Sequence, residues 1–84
     1  MAKTIDIVSL GEAMVEFYSS DGVSLGRAKN FEKSVGGDTV NLLYAASRFG
    51  KKCGYVTRVG SDEFGRYLID AWKQEGIDVS NVVV

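Results

Sequence analysis

The spacing of apolar and polar residues predicts that the chain opens with β-structure. Ile5–Leu10 is a short apolar run that ends at Gly11, as expected for a strand buried on both faces. Imperfect alternation from Met14 to Tyr18 predicts a second strand. Phe31–Val35 predicts a third strand, which returns after the turn cluster Ser19–Gly22.

A helix is predicted directly after the third strand. Gly36 and Gly37 break that strand, and Asp38 or Thr39 is expected to cap the helix, which ends at Gly50. Apolar residues recur through this segment at helical spacing, namely Val40, Leu43, Ala46 and Phe49. The pattern therefore predicts one amphipathic helix.

The rest of the chain repeats the alternation of strand and helix. Cys53–Val59 is predicted to be a strand, Ser61 or Asp62 to cap a second helix, Gly76 to end it, and Ile77–Val84 to begin another strand. The apolar stripe of this helix is Phe64, Tyr67, Leu68, Ala71 and Trp72. We expect Trp72 and the Tyr67–Leu68 part of this stripe to belong to the core and not to a cofactor site. Strands alternating with helices predict βαβ units, and therefore an α/β fold with a parallel sheet.

The carboxyl end of the sequence predicts a fragment. The chain has 84 residues and stops inside the apolar run Val82–Val84. A domain of this size has a marginal core, and a parallel sheet needs helices on both faces, which two helices cannot supply. We therefore expect the chain to be the amino-terminal part of a larger domain.

Composition excludes several classes of function. The formal net charge is −1 and the cationic residues are scattered, which argues against nucleic-acid binding. No stretch has the length of a signal segment or membrane span, so we predict a cytoplasmic protein without a membrane partner. The chain has no histidine, and Cys53, predicted to be a small buried apolar residue, is its only cysteine. These counts exclude Ser-His-Asp and Cys-His catalysis and multi-cysteine metal sites.

The start of the first predicted helix carries the candidate chemistry. Gly36 and Gly37 let a ligand approach the backbone, and the first helical turn has free N–H groups. Asp38 and Asn41 are three residues apart and project on one side of a helix, which suits a polyhydroxylated ligand. Alternatively, Asp38 caps the helix by accepting from the N–H of Asn41, and the glycines serve only the turn.

Several motifs together resemble the amino-terminal part of the ribokinase-like (PfkB) carbohydrate kinases. They are Gly36-Gly-Asp-Thr-Val-Asn41, the helix-ending Gly50, Val59-Gly-Ser-Asp-Glu-Phe-Gly65, the opening Gly11-Glu-Ala-Met-Val-Glu16 and Gly76-Ile-Asp-Val79. The order and spacing agree over essentially all 84 residues. The resemblance implies that residues 1–84 are the amino-terminal part of a sugar kinase domain.

The resemblance also implies roles for particular residues. Gly36, Gly37, Asp38, Thr39, Asn41 and Glu16 are expected to bind the substrate. Glu16 could equally be a solvated glutamate on an edge strand. Residues 14–35 correspond to the family's small β-lid, a candidate homodimer contact, although apolar residues such as Phe17 and Phe31 could equally be ordinary core.

Family membership implies ATP-dependent phosphorylation of a sugar or sugar acid with Mg²⁺ by the full-length protein. The family's Gly-Ala-Gly-Asp catalytic turn has no match here, so no catalytic residue is expected in this chain and the isolated chain is expected to be inactive. The motifs most resemble 2-dehydro-3-deoxygluconokinases, which predicts 2-keto-3-deoxygluconate as substrate. A fructokinase or other PfkB-type sugar kinase is the alternative, and a non-catalytic sugar-binding or dimerisation module is another. A small regulatory or redox domain lacks support because no C-x-x-C motif is present.

Overall fold

The chain folds into a short parallel sheet, an antiparallel hairpin and two helices, and the computed structural model describes residues 5–84. Residues 1–4 of the predicted 1–84 unit lie outside the described part. The elements, in chain order, are β1 (Ile7–Leu10), β2 (Met14–Ser19), β3 (Phe31–Gly36), α1 (Asp38–Arg48), β4 (Cys53–Val56) and α2 (Glu63–Gln74).

The parallel sheet pairs β1 with β4, from Ile7 opposite Cys53 to Leu10 opposite Val56. This pairing confirms the predicted α/β fold. The strand predicted over Cys53–Val59 is shorter than expected, since β4 ends at Val56. Neither helix in residues 5–84 is both long enough and apolar enough to cross a bilayer.

The segment after α2 runs beside β4 but does not form the continuous strand predicted for Ile77–Val84. Isolated parallel bridges join Gly54 to Asp78 and Arg58 to Val83. Between them the Val82 N–H donates to the Val79 carbonyl at 3.0 Å, which is a local turn. The turn takes the intervening residues out of the ladder, so the prediction of one strand was wrong.

Only one face of β1 is covered within residues 5–84. Ser9 is buried on the side of the helices, whereas Val8 and Leu10 are 62% and 76% exposed on the other side. The prediction that this strand is buried on both faces was therefore wrong for this chain, because successive strand residues point to opposite faces and α1 packs only against one of them.

The core lies between the covered face of the sheet and the two helices. Its largest fully buried side chains are Trp72, Tyr55, Leu43, Val40 and Cys53. The Tyr55 and Trp72 rings pack edge to face, with centroids 5.0 Å apart. The predicted core positions of Trp72 and Cys53 are confirmed, and burial raises the pKa of the Cys53 thiol. Phe49, predicted to lie on the apolar face of α1, is instead 85% exposed, because the helix ends one residue earlier.

The helix ends follow from local chemistry, with one difference from expectation. Asp62 caps α2 as predicted, because its carboxylate accepts from the Gly65 N–H at 2.9 Å. Gly50 and Gly76 have positive φ where the helices terminate. The N-cap of α1 is Gly37 and neither Asp38 nor Thr39, so the predicted cap was wrong.

Strands β2 and β3 form the hairpin, in the region predicted as a β-lid. Val15 lies opposite Val35 and Glu16 opposite Ser34, and opposed residues share a face. On the face that includes Val15, the Phe17 ring packs edge to face against Phe64 of α2, with centroids 5.7 Å apart. The other face, with Glu16, is therefore turned away from α2. A role as a lid stays a prediction.

Gly37 joins the hairpin to α1 in a conformation that side chains disfavour. Its φ is +117°, and a Cβ at this position would lie 2.9 Å from the Glu12 carbonyl oxygen. Glycine is therefore required at this position for two reasons: the backbone dihedral angle, and the close approach of the loop between β1 and β2.

We expect Trp72→Ala to lower the free energy of unfolding of the full-length gene product by about 3–5 kcal/mol, because it empties a fully buried site. Trp72→Phe should cost clearly less. It keeps most of the contact with Tyr55 and removes an indole N–H that has no acceptor among residues 5–84. Urea unfolding measures the stability of both variants. Equal losses of stability would contradict the prediction that Trp72→Phe costs less because it keeps the contact with Tyr55 and removes an unpaired N–H.

Gly37→Ala should destabilise the protein by about 1–3 kcal/mol through its backbone dihedral angle and its contact with Glu12. Gly22→Ala is the matched control, since Gly22 also has positive φ but no atom lies within 4 Å of its Cβ position. Thermal unfolding compares the two variants. If Gly22→Ala lost as much stability as Gly37→Ala, close packing against Glu12 would contribute nothing to the effect at residue 37.

Candidate functional site

A cleft of about 300 Å³ lies between the start of α1 and the face of the hairpin turned away from α2. It is lined by Glu12, Met14, Glu16, Gly37, Asp38, Thr39 and Asn41. Segments from the β1–β2 loop, β2 and α1 therefore meet at one concave surface, although they are up to 29 positions apart in the sequence.

The α1 side of the cleft offers both backbone and side-chain groups. The Asn41 N–H donates to the Gly37 carbonyl at 3.0 Å, so the alternative in which Asp38 caps the helix through Asn41 was wrong. Because Gly37 has no side chain, no side-chain cap occupies the N–H groups of the first turn. Asp38 and Asn41 are both exposed to the cleft and can exchange hydrogen bonds with a ligand.

The hairpin side of the cleft is formed by Met14 and Glu16, which lie on one face because they are two residues apart in β2. The Ser34 hydroxyl lies 3.5 Å from a Glu16 carboxylate oxygen, a distance too long for a strong hydrogen bond. Glu16 therefore keeps most of its acceptor capacity for a ligand. Gly36 does not line the cleft; a Cβ there would collide with the Glu16 side chain.

Further along the same face of the hairpin, Tyr18 donates a hydrogen bond to a Glu32 carboxylate oxygen at 2.7 Å. The bond and the negative charge of Glu32 raise the pKa of Tyr18 above its ordinary value. The Tyr18 hydroxyl is therefore engaged with Glu32.

The base of the cleft is held by three oxygen atoms in mutual hydrogen-bond contact. The Tyr55 hydroxyl lies 2.7 Å from the Thr39 hydroxyl and 2.9 Å from the Glu12 carbonyl oxygen, and the Thr39 hydroxyl lies 3.1 Å from that carbonyl. Two hydroxyl protons are available for these three contacts. One hydroxyl therefore donates to the carbonyl oxygen, and the other hydroxyl donates to the oxygen of the first hydroxyl. Both donors are satisfied either way.

The structure brings five of the predicted residues together on the cleft: Glu16, Gly37, Asp38, Thr39 and Asn41. Sequence reasoning missed Glu12, Met14 and Tyr55. Met14 could have been found, because it shares the strand face of Glu16. Nothing in the sequence near Tyr55 indicates that its hydroxyl contacts Thr39 and Glu12, which lie 16 and 43 positions away in the sequence.

Residues 5–84 lack the usual signatures of metal and nucleotide sites. No group of three or more acidic or cysteine side chains among them is placed to hold a metal. The sequence also contains neither a Walker-A motif nor G-x-G-x-x-G. The cleft offers hydrogen-bond groups of the kind that recognition of a polyhydroxylated ligand needs.

Comparison with known sequences identifies relatives that match most of this chain. A family model described as pfkB family carbohydrate kinase matches residues 4–84. The chain is 36% identical over 81 residues to a 5-dehydro-2-deoxygluconokinase from Clostridium perfringens, and 38% identical over 80 residues to a 2-dehydro-3-deoxygluconokinase from Thermoproteus tenax. These alignments each cover 95% of this chain but 24% and 25% of the relatives. The chain thus spans about a quarter of the length of these relatives.

Solved structures agree with the sequence matches. A fructokinase from Halothermothrix orenii superposes with a TM-score of 0.83 at 38% identity, covering 94% of this chain and 29% of that one. An uncharacterized sugar kinase from Pyrococcus horikoshii, in complex with ATP, superposes with a TM-score of 0.86 at 35% identity, covering 92% of this chain and 26% of that one. The resemblance found in the motifs is confirmed: this chain belongs to the pfkB family of carbohydrate kinases.

Proposed function

We propose that the full-length protein transfers a phosphoryl group from ATP to a hydroxyl of a sugar or sugar acid, and that residues 5–84 supply the sugar cleft. The observation that carries this proposal is the convergence of Glu16, Gly37, Asp38 and Asn41 on one cleft in a chain of this family. Carboxylates, an amide and free backbone N–H groups together match the donors and acceptors of a polyol.

Phosphoryl transfer itself is proposed to depend on parts of the protein outside residues 5–84. No group of three or more acidic or cysteine side chains within residues 5–84 is placed to hold a metal ion. One relative in structure is named as a complex with ATP, which supports ATP as the phosphoryl donor. We therefore expect the isolated 84-residue chain to be inactive as a kinase.

The charges of the cleft restrict how a sugar acid binds. Glu12, Glu16 and Asp38 line the cleft, and its lining includes no lysine or arginine. A ligand carboxylate placed beside these groups would be repelled, by about 4 kcal/mol for one unit charge at 4 Å near a protein surface. A sugar acid is therefore proposed to place its hydroxyls in this cleft and its carboxylate outside.

Two substrate classes follow from the relatives. Two sequence relatives are named as kinases of the sugar acids 5-dehydro-2-deoxygluconate and 2-dehydro-3-deoxygluconate, and one structural neighbour is named as a fructokinase. We propose 2-keto-3-deoxygluconate, which is the same compound as 2-dehydro-3-deoxygluconate, as the substrate, with fructose as the second candidate. An assay of the full-length gene product with ATP, Mg²⁺ and each sugar decides between them, and turnover of neither sugar would contradict the substrate proposal.

We expect Asp38→Asn to lower kcat/KM for the sugar by about tenfold to a hundredfold, because hydrogen bonds from sugar hydroxyls to a carboxylate are stronger than those to an amide. Asp70→Asn makes the same chemical change at an exposed position of α2 that does not line the cleft. Steady-state kinetics measures both variants. An Asp38→Asn enzyme as active as the Asp70→Asn enzyme would exclude Asp38 as a sugar ligand.

The alternative function, a non-catalytic sugar-binding or dimerisation module, is favoured by the tip of the hairpin. Val23, Leu25 and Phe31 are 47%, 70% and 45% exposed there. The loop that carries Val23 and Leu25 is held by Asp21, whose carboxylate accepts from the backbone N–H groups of Lys29 and Asn30 at 2.7 and 3.1 Å. These bonds lower the pKa of Asp21. A fixed apolar surface of this kind suits contact with a second copy.

If the hairpin tip mediates a homodimer, Leu25→Asp should convert the full-length gene product from dimer to monomer, because it places a charge in an apolar contact. Leu42→Asp is the control, as Leu42 is also exposed but lies on α1. Sedimentation velocity measures the masses. A wild-type monomer, or a dimer that survives Leu25→Asp, would contradict this contact.

A further inference from the structure

We propose that Tyr55 is a positioning residue for the sugar cleft. Its hydroxyl holds the Glu12 carbonyl and the Thr39 hydroxyl together, and so fixes the distance between the base of the hairpin and the first turn of α1. The kinetic part of this inference rests on the proposed sugar kinase function.

Tyr55 is suited to this task because its ring is packed in the core. The side chain is 1% exposed and packs edge to face against Trp72, which is itself fully buried. Tyr55 also belongs to β4, whose backbone is paired with β1. The hydroxyl is therefore a fixed point that the core presents to the cleft.

The two groups that Tyr55 contacts come from the two sides of the cleft. Glu12 lies in the loop that leads into β2 and hence to Glu16, whereas Thr39 lies one residue after Asp38 in α1. Each also lines the cleft. Because Glu12 and Thr39 are held by one hydroxyl, the spacing between the proposed sugar-binding residues on the two sides of the cleft is fixed.

A second hydroxyl from the same part of the chain holds the neighbouring carbonyl of the loop. Thr57 Oγ1 donates to the Gly11 carbonyl at 2.6 Å. A Cβ on Gly11 would lie 2.5 Å from Thr39 Cγ2, so the loop and α1 are in close contact. The loop is thus held through two consecutive carbonyls, those of Gly11 and Glu12. Of the two residues that bind them, it is Tyr55 that also contacts α1.

The test is Tyr55→Phe in the full-length gene product, with Tyr44→Phe as the matched control. Tyr44 is a half-buried tyrosine of α1 whose hydroxyl has no hydrogen-bond partner within residues 5–84. With ATP and 2-keto-3-deoxygluconate, we expect Tyr55→Phe to raise KM by about threefold to tenfold while kcat stays within about twofold, because the lost hydrogen bond affects sugar binding and not transfer. The control should change neither constant.

Hydrogen exchange of the free protein supplies a readout that needs no activity. Peptides covering residues 11–16 and 37–42 should exchange faster in Tyr55→Phe than in the wild type, whereas a peptide covering α2 should not. If no sugar is phosphorylated, the proposed function fails and this measurement alone decides the role of Tyr55. Exchange unchanged at residues 11–16, or faster throughout α2, would overturn the inference, as would a fall in kcat with KM unchanged.

Should Tyr55→Phe fail to fold, the same contacts are tested from Thr39. Thr39→Val should speed hydrogen exchange at residues 11–16, whereas Thr39→Ser, which keeps the hydroxyl, should leave exchange at these residues as slow as in the wild type. Where Tyr55→Phe does fold, its effect on exchange at these residues should be non-additive with that of Thr39→Val, since both act through one set of contacts. Identical behaviour of Thr39→Ser and Thr39→Val, or simple additivity, would contradict the proposal.

Discussion

The close approach of the β1–β2 loop to the first turn of α1 is the constraint on which the cleft depends. The Glu12 carbonyl oxygen accepts from a hydroxyl of α1 or of β4, and lies where a side chain at residue 37 would collide with it. The bond from Tyr55 to this carbonyl is part-buried, so leaving the carbonyl without a partner would cost free energy, and this cost favours the contact once the core is formed. Because the loop leads into β2 and Gly37 follows β3, one contact fixes both ends of the hairpin.

Much of the fold was predictable because it depends on local patterns. The stripe of Leu68 and Trp72, the Asp62 cap and the glycines after both helices act within a few residues of one another. The errors arose where tertiary structure decides. Exposure of Val8 and Leu10 depends on which parts of the protein cover the sheet, and the turn at residues 79–82 interrupts a segment with strong strand propensity.

The candidate site was predictable only in part, for the same reason. Asp38, Thr39 and Asn41 lie in one helical turn, so the motif that contains them already places them together. Glu16 comes from a strand, and its position opposite that turn depends on the register of the hairpin. Asp38 lies on the cleft, but the prediction that it caps the helix was wrong, because a glycine precedes it and takes the cap position. Tyr55 was assigned no role, since its hydroxyl contacts residues far away in sequence.

The contacts of the hairpin differ in strength between its base and its outer part. At the base, hydrogen bonds involve the buried Tyr55 and the part-buried Thr57. Further out, the hairpin meets α2 through Phe17 on Phe64, both about half exposed, and through Lys33 Nζ, 4.5 Å above the centre of the Tyr67 ring. An exposed cation–π contact stabilises by about 0.5–1 kcal/mol, and an aromatic pair adds a similar amount. A motion of the outer hairpin away from α2 therefore breaks weak contacts first, and leaves the base of the cleft in place.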